Sequence, residues 1–366
     1  MYNKYEQDKL VSLLQKKQEI KNIHGIDMLV KNIPDVDIDG DLDPRVKEKL
    51  KDNAKNMKDM SNIEPPKSTG DIPVEFIRSI MGSLNFDISR GIDATDKIIQ
   101  GRNGNIPLRV YTSNKNESMP AIVFIHGGAF FGGSTKTVEN ACKYLAQKIE
   151  GVVVSVDYRL CPEYRFPQGL HDCFDTVKWL YENSKELNVN CNNIGVSGDS
   201  SGGNYSTVCS MMDRDLGTKM IKFQALLYPG LNLSEDKIED YEFDIKLYNI
   251  KNNYELIEDA VMGIKKFPPL SLLYVNNPEE ISNPYVSPLI SSSLKHMPQT
   301  LIITAEYDYL TLEAEAYARK LIRDKVPTKL IRYNGIDHAF IDKIGIYPQA
   351  QDCIDEIAKE FKIAIR

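Results

Sequence analysis

The feature that most constrains this chain is a regular alternation of short apolar segments with longer amphipathic ones, beginning near residue 106. Near-continuous apolar runs rich in β-branched residues are typical of strands buried on both faces of a parallel sheet. The segments between them place apolar residues at steps of three and four, as amphipathic helices do. This pattern predicts βαβ crossovers, and therefore an α/β fold with helices on both faces of a mostly parallel sheet. The predicted strands are residues 106–112, 120–127, 151–159, 192–199, 223–231, 300–308 and 328–336.

Two stretches fall outside this alternation. Residues 1 to about 100 are polar and favour helix, and residues 232–285 interrupt the sheet between two strands. Long insertions beyond the carboxyl ends of strands are where α/β enzymes place a lid or a substrate pocket. We therefore divide the chain into an extension (1–40), which could be part of a cap, an N-terminal cap segment (41–104) and an α/β domain (105–366) with a cap insertion at about 232–285.

The extension itself allows two interpretations. Leu10, Leu13, Leu14 and Ile20 form a partial helical stripe, which an amphipathic segment must bury against something. The extension either forms part of the roof over a substrate pocket or is a loosely attached segment with no role.

Composition excludes several classes of partner. The 366 residues are 42% hydrophobic and 27% charged, as in soluble globular proteins, and a net charge of -7 argues against nucleic acid or an anionic membrane surface. No apolar run approaches the ~18 residues of a membrane span, and the N-terminus has no signal-peptide core. Six scattered cysteines indicate free thiols in a reducing compartment rather than disulfides or a zinc site. We expect a cytoplasmic protein with no metal and no cofactor. The sequence does not decide between a monomer and a homodimer.

The stretch GDSSGG, residues 198–203, contains the pattern G-x-S-x-G of a nucleophile elbow. Centred on Ser200 the flanking residues are Gly198 and Gly202, whereas centring on Ser201 breaks the pattern. The register therefore favours Ser200 as the nucleophile, with Ser201 contributing its backbone N–H. A glycine-rich turn from strand to helix is the alternative.

A nucleophilic serine needs a base and an acid, in the chain order Ser, Asp or Glu, His. His338 follows a predicted strand end and is the favoured base, while His296 is expected on the surface. Asp308 directly follows another apolar strand and is the favoured acid, with Glu306 as its competitor.

The segment HGGAFFGG, residues 126–133, follows the second predicted strand. Backbone N–H groups of Gly127 and Gly128, with that of Ser201, would bind the oxyanion. His126 precedes the nucleophile in the chain and is expected to fix this loop rather than to act as the base.

Six segments in order resemble the hormone-sensitive-lipase-like branch of the α/β-hydrolase fold, which consists of carboxylesterases. They are HGGAFFGG, VDYRLCPEYRFP, GDSSGGN, SNPYVSPL, AEYDYLTLEAEAYARKL and DHAF, within about residues 105–345.

The resemblance implies an eight-stranded sheet, a helical cap, the triad Ser200, Asp308 and His338, and a small-molecule ester as substrate. It also implies that Arg159 and Glu163 brace the oxyanion loop. Ala129, Ser201 and Tyr309 stand where the branch usually has Gly, Ala and Pro. Two other functions stay open: a non-catalytic ligand-binding scaffold, and an amidase or peptidase with the same triad.

Overall fold

The computed structural model describes residues 4–59, 72–113, 118–234, 238–263 and 269–366. The ten helices of this part of the chain are α1 (Lys4–Lys16), α2 (Pro44–Asp59), α3 (Val74–Ile80), α4 (Glu139–Ile149), α5 (Gln168–Glu182), α6 (Ser201–Leu216), α7 (Tyr254–Met262), α8 (Ser271–Tyr274), α9 (Thr311–Arg323) and α10 (Pro348–Ala364). Across the described ranges, none of them combines the length and the apolar character needed to cross a membrane.

The strands of the described chain form one sheet in the order β1-β2-β10-β9-β8-β7-β5-β6-β4-β3. They are β1 (Gln18–Ile23), β2 (Ile26–Lys31), β3 (Asp93–Gly101), β4 (Gly104–Thr112), β5 (Met119–Ile125), β6 (Val152–Val156), β7 (Val189–Asp199), β8 (Ile221–Leu227), β9 (Gln299–Tyr307) and β10 (Thr328–Asp337). Seven neighbouring strands from β2 to β6 run parallel, and β1, β4 and β3 are joined by antiparallel pairing. The α/β class is as expected, but the sheet has ten strands rather than eight.

The extra strands at one edge come from the extension. β1 and β2 form a hairpin, and β2 pairs in parallel with β10 through residues 29–31. The ammonium of Lys31 is fully buried and pairs with Asp352 and with Glu356 on α10, the latter at 2.8 Å. Breaking such a buried ion pair is strongly destabilising, since the remaining charge has no water around it. Residues 18–31 therefore belong to the sheet, so this part of residues 1–40 is not a roof over the site.

The helical stripe predicted for the extension ends earlier than expected. α1 packs against α10, and Leu14 is fully buried in that contact region. Ile20 lies beyond the helix, on the outer strand β1, and is 76% exposed. The apolar stripe of α1 therefore packs against the C-terminal helix α10, and the extension is not loosely attached.

The predicted cap segment 41–104 is also only partly correct. Its last part, β3, is the opposite edge strand of the sheet and pairs with β4 over its whole length. The sequence of β3 does not show the apolar pattern of a buried strand, because an edge strand covers little of the core and its side chains are mostly polar. Helix α3, by contrast, lies against the loop that follows β5: Arg78 donates a hydrogen bond to the carbonyl of Phe131 at 2.6 Å.

The insertion after β8 lies beside the carboxyl ends of the strands. The N–H of Lys251 donates to the carbonyl of Gly40 at 2.8 Å, which joins the insertion to the segment that follows β2. Tyr248 donates its hydroxyl to the carbonyl of Asp308 at 2.8 Å, directly after β9. Loops at this edge of a parallel sheet are where α/β folds bind their ligands.

Candidate active site

The turn between β7 and α6 holds Ser200 in a conformation that few residues with a side chain adopt. Its φ is 53° and its ψ is -117°. A Cβ on Gly198 would collide with the carbonyl of Gly202, and a Cβ on Gly202 would collide with the carbonyl of Ile125. Both flanking positions therefore require glycine, which is the physical reason for the G-x-S-x-G pattern.

Three side chains from separate loops meet at this turn. The Nε2 atom of His338 lies 3.1 Å from Oγ of Ser200, and its Nδ1 atom lies 2.7 Å from Oδ2 of Asp308. With the proton on Nδ1, the imidazole donates to Asp308 and accepts the Ser200 hydroxyl proton. His338 follows β10 directly and Asp308 follows β9, so parallel strands bring both to one edge. The structure thus brings together the three residues selected from the sequence.

Asp308 is fixed by several bonds. It is 2% exposed, and its second carboxylate oxygen accepts the N–H of Leu310 at 3.0 Å. The competing acid, Glu306, points elsewhere: its carboxylate accepts the N–H of Gly335 at 2.8 Å and is buried. Glu306 lies within β9, whereas Asp308 lies just beyond the last residue of that strand, where the chain leaves the sheet and the side chain reaches His338.

The remaining histidines do not reach Ser200 through any hydrogen bond of the described structure. His126 is 1% exposed, its Nδ1 atom lies 2.8 Å from the carbonyl oxygen of Gly127, and its ring stacks on Tyr158 at 4.3 Å between centroids. Such a residue holds the loop after β5, as expected from the chain order. His296 is exposed, also as expected.

One predicted oxyanion donor is wrong. The N–H of Gly127 donates to Oδ1 of Asp199 at 2.9 Å, and a Cβ at Gly127 would run into the same carboxylate. The group is therefore occupied, and Gly127 is not an oxyanion donor. Asp199, which was not selected from the sequence, ties the loop after β5 to the turn that carries Ser200. Burial and the neighbouring Asp342 carboxylate raise the pKa of Asp199.

The N–H groups of Gly128 and Ala129, unlike that of Gly127 before them in the loop, have no backbone or side-chain hydrogen-bond acceptor among the described residues. The N–H of Ser201 begins α6, where the first N–H groups of a helix have no partner within it. Ala129 has a left-handed φ of 51°, so alanine takes the conformation that glycine would adopt there. Among the described residues these three N–H groups have no acceptor, whereas the N–H of Gly127 has one. Ala129 was not among the donors selected from the sequence.

The two residues implied as braces of this loop have separate roles. Glu163 forms a bidentate pair with Arg78, at 2.9 and 2.7 Å, and Arg78 in turn bonds the loop. Arg159 instead pairs with Asp172 at 2.5 Å and donates to the carbonyl of Asn103 at 2.6 Å. Among the described residues its guanidinium bonds Asp172 and backbone carbonyls around the start of β4 but not the oxyanion loop, which contradicts the implied role of Arg159.

The electrostatics distinguish the two histidines near the site. Loss of water contact pulls the pKa of His338 down, but the Asp308 carboxylate outweighs it, and the pKa lies above the usual 6.5. Burial lowers the pKa of His126, which keeps that ring neutral. The imidazolium formed during a proton transfer is therefore stabilised at His338 and not at His126.

Comparisons with known proteins agree with this geometry. A family model described as the alpha/beta hydrolase fold matches residues 122–342. The chain is 33% identical over 251 residues to an arylesterase of Saccharolobus solfataricus, covering 68% of this chain and 77% of that protein. It is 28% identical over 262 residues to the esterase LipI of Mycobacterium tuberculosis, covering 70% and 78%.

Solved structures extend the similarity beyond the matched residues. An esterase from Pyrobaculum calidifontis superposes with a TM-score of 0.70 at 30% identity, covering 89% of this chain and all of that one. The arrangement of Ser200, His338 and Asp308 at the strand ends points to the same family as these similarities. So does the loop after β5. The chain belongs to the α/β-hydrolase fold family, in its hormone-sensitive-lipase-like branch.

Proposed function

We propose that this protein is a serine carboxylesterase that hydrolyses short- to medium-chain acyl esters through an acyl-enzyme on Ser200. The observation that carries the proposal is the hydrogen-bonded series from Ser200 through His338 to Asp308, at 3.1 and 2.7 Å. Relatives and structural neighbours named as esterases support the ester as the substrate class.

In the proposed mechanism, His338 takes the proton of Ser200 while Oγ attacks the ester carbonyl. Asp308 keeps the imidazole oriented and stabilises its charged form. The carbonyl oxygen becomes an oxyanion and binds the N–H groups of Gly128, Ala129 and Ser201. His338 then protonates the departing alcohol, and water repeats the sequence on the acyl-enzyme.

The same arrangement supports this function over a non-catalytic ligand-binding scaffold, because His338 is present and bonded on both sides. A cytoplasmic location is part of the proposal. It is supported by the six cysteines, which are unpaired in the described chain, with five of them buried.

The proposed function is tested with p-nitrophenyl esters from acetate to dodecanoate, together with the p-nitroanilide of the preferred acid. We expect turnover of the shorter esters and a far slower reaction with the anilide. A small organophosphonate should phosphonylate Oγ of Ser200 with loss of its leaving group, which adds the mass of the phosphonyl group and stops turnover. An anilide cleaved as fast as the matching ester would indicate an amidase. Failure to hydrolyse any ester, with Ser200 unlabelled, would support the scaffold.

The pH dependence of kcat/KM should show an acid limb set by His338. Protonated His338 cannot accept the Ser200 proton, so activity falls as the pH drops through its pKa. Because Asp308 raises that pKa, we expect the midpoint above pH 6.5. A His126→Asn variant, whatever its rate, should keep the same limb. A limb that disappears with His126 would contradict the assignment of the base.

A further inference from the structure

Arg78, on helix α3, makes contacts that join three parts of the chain. Its Nε donates to the carbonyl of Phe131 at 2.6 Å, and one terminal nitrogen donates to the carbonyl of Cys161 at 2.9 Å. Both terminal nitrogens pair with Glu163, and one also pairs with Glu75 at 2.5 Å. The guanidinium is therefore held by two carboxylates while it binds two backbone carbonyls.

The carbonyl of Phe131 belongs to the turn that carries the free N–H groups. The N–H groups of Phe131 and Gly132 both donate to the carbonyl of Gly128, at 3.1 and 2.9 Å. The peptide that follows Phe131 contains the N–H of Gly132, so a shift of that peptide also shifts the carbonyl of Gly128. The carbonyl of Gly128 and the N–H of Ala129 belong to one planar peptide unit, so the N–H of Ala129 moves with it. The end of α3 leaves little freedom here: a Cβ on Gly132 would collide with the sulfur of Met81.

The two sides of the loop are thus fixed by different groups. Asp199 holds its beginning, at the N–H of Gly127, and Arg78 holds its end, at the carbonyl of Phe131. Arg78 lies outside the residues 122–342 that match the family model. The clamp on the far side of the oxyanion loop therefore comes from the N-terminal segment.

We propose that Arg78 is a positioning residue for the hydrolytic reaction: it sets the oxyanion donors Gly128 and Ala129 relative to Ser200 and couples them to helix α3. This inference rests on the proposed esterase function. A lysine cannot replace the guanidinium, because its single ammonium cannot bond Phe131 and Cys161 while pairing bidentately with Glu163.

The experiment compares Arg78→Ala, Arg78→Lys and Glu163→Gln with the wild-type protein. Arg214→Ala is the matched control: its side chain is 18% exposed against 20% for Arg78, and it likewise binds a carboxylate and a backbone carbonyl. The readouts are kcat and KM for one short ester, affinity for a trifluoromethyl ketone, affinity for an unreactive alcohol inhibitor, and the unfolding temperature. The ketone forms an oxyanion on Ser200, whereas the alcohol does not.

For Arg78→Ala and Arg78→Lys we expect kcat to fall about 10- to 100-fold with KM little changed, less than the loss of a whole oxyanion donor. Affinity for the ketone should fall in parallel, and affinity for the alcohol should stay nearly constant. Glu163→Gln should act in the same direction but more weakly, because the bond to Phe131 is retained. Methylguanidine should restore part of the activity of Arg78→Ala.

Two results would overturn the proposal. One is a kcat for both Arg78 variants no lower than that of Arg214→Ala. The other is an equal loss of affinity for ketone and alcohol together with a lower unfolding temperature, which would indicate a purely structural residue. If the wild-type protein hydrolyses no ester, the proposed function fails instead, so the two failures are distinguishable.

Discussion

Replacing Ser200 by alanine is expected to lower kcat for ester hydrolysis by about 10⁴-fold or more, whereas Ser201→Ala should keep most of the activity. Of these two serines, Ser200 is the one whose Oγ lies within hydrogen-bonding distance of Nε2 of His338, at 3.1 Å. Ser201 is the first residue of α6 and is 4% exposed, and its proposed contribution is its backbone N–H, which alanine retains.

The measurement is a steady-state rate with a short p-nitrophenyl ester, accompanied by mass spectrometry after treatment with an organophosphonate. Ser201→Ala serves as the matched control, since it removes the same hydroxyl one position away. Both variants should bind the alcohol inhibitor normally, which shows that the pocket is intact. An inactive Ser201→Ala beside an active Ser200→Ala would show that the register of the motif is wrong.

Asp308→Asn should lower kcat by about 10⁴-fold, because asparagine leaves the imidazole without a carboxylate to orient it and to stabilise its charge. Asp308 is also what raises the pKa of His338. The acid limb of the residual activity should therefore move to lower pH in this variant.

Glu306→Gln is the matched control for this second substitution. Glu306 is an acid on the same strand end, and burial raises its pKa to about 7. Glutamine keeps an oxygen to accept the N–H of Gly335, so kcat and the acid limb should both change little. If Glu306→Gln lowered kcat strongly and Asp308→Asn lowered it little, Glu306 rather than Asp308 would be the acid of the triad.

The sequence by itself determined the features that depend on local pattern. Strands β4 to β10, and the helices α4, α5, α6 and α9 between them, follow from apolar periodicity. Strands buried on both faces read as nearly continuous apolar runs, and amphipathic helices place apolar residues at steps of three and four. The register of Ser200 follows from the glycines at 198 and 202, since a side chain at either would collide with backbone. Asp308 and His338 could be selected because both directly follow parallel strands, whose carboxyl ends meet at one edge.

Only the tertiary structure decided which of the loop's N–H groups are free. Gly127 and Gly128 are alike in sequence, and they differ because Asp199, 72 positions away, takes the N–H of Gly127. The contacts of Arg78 with Phe131 and Glu163 are likewise invisible in the sequence, 53 and 85 positions apart. The hairpin of residues 18–31 is too polar to predict as a strand pair, because its outer strand β1 faces water. Its place beside β10 brings Lys31 against Asp352 and Glu356, residues 321 and 325 positions away on the C-terminal helix.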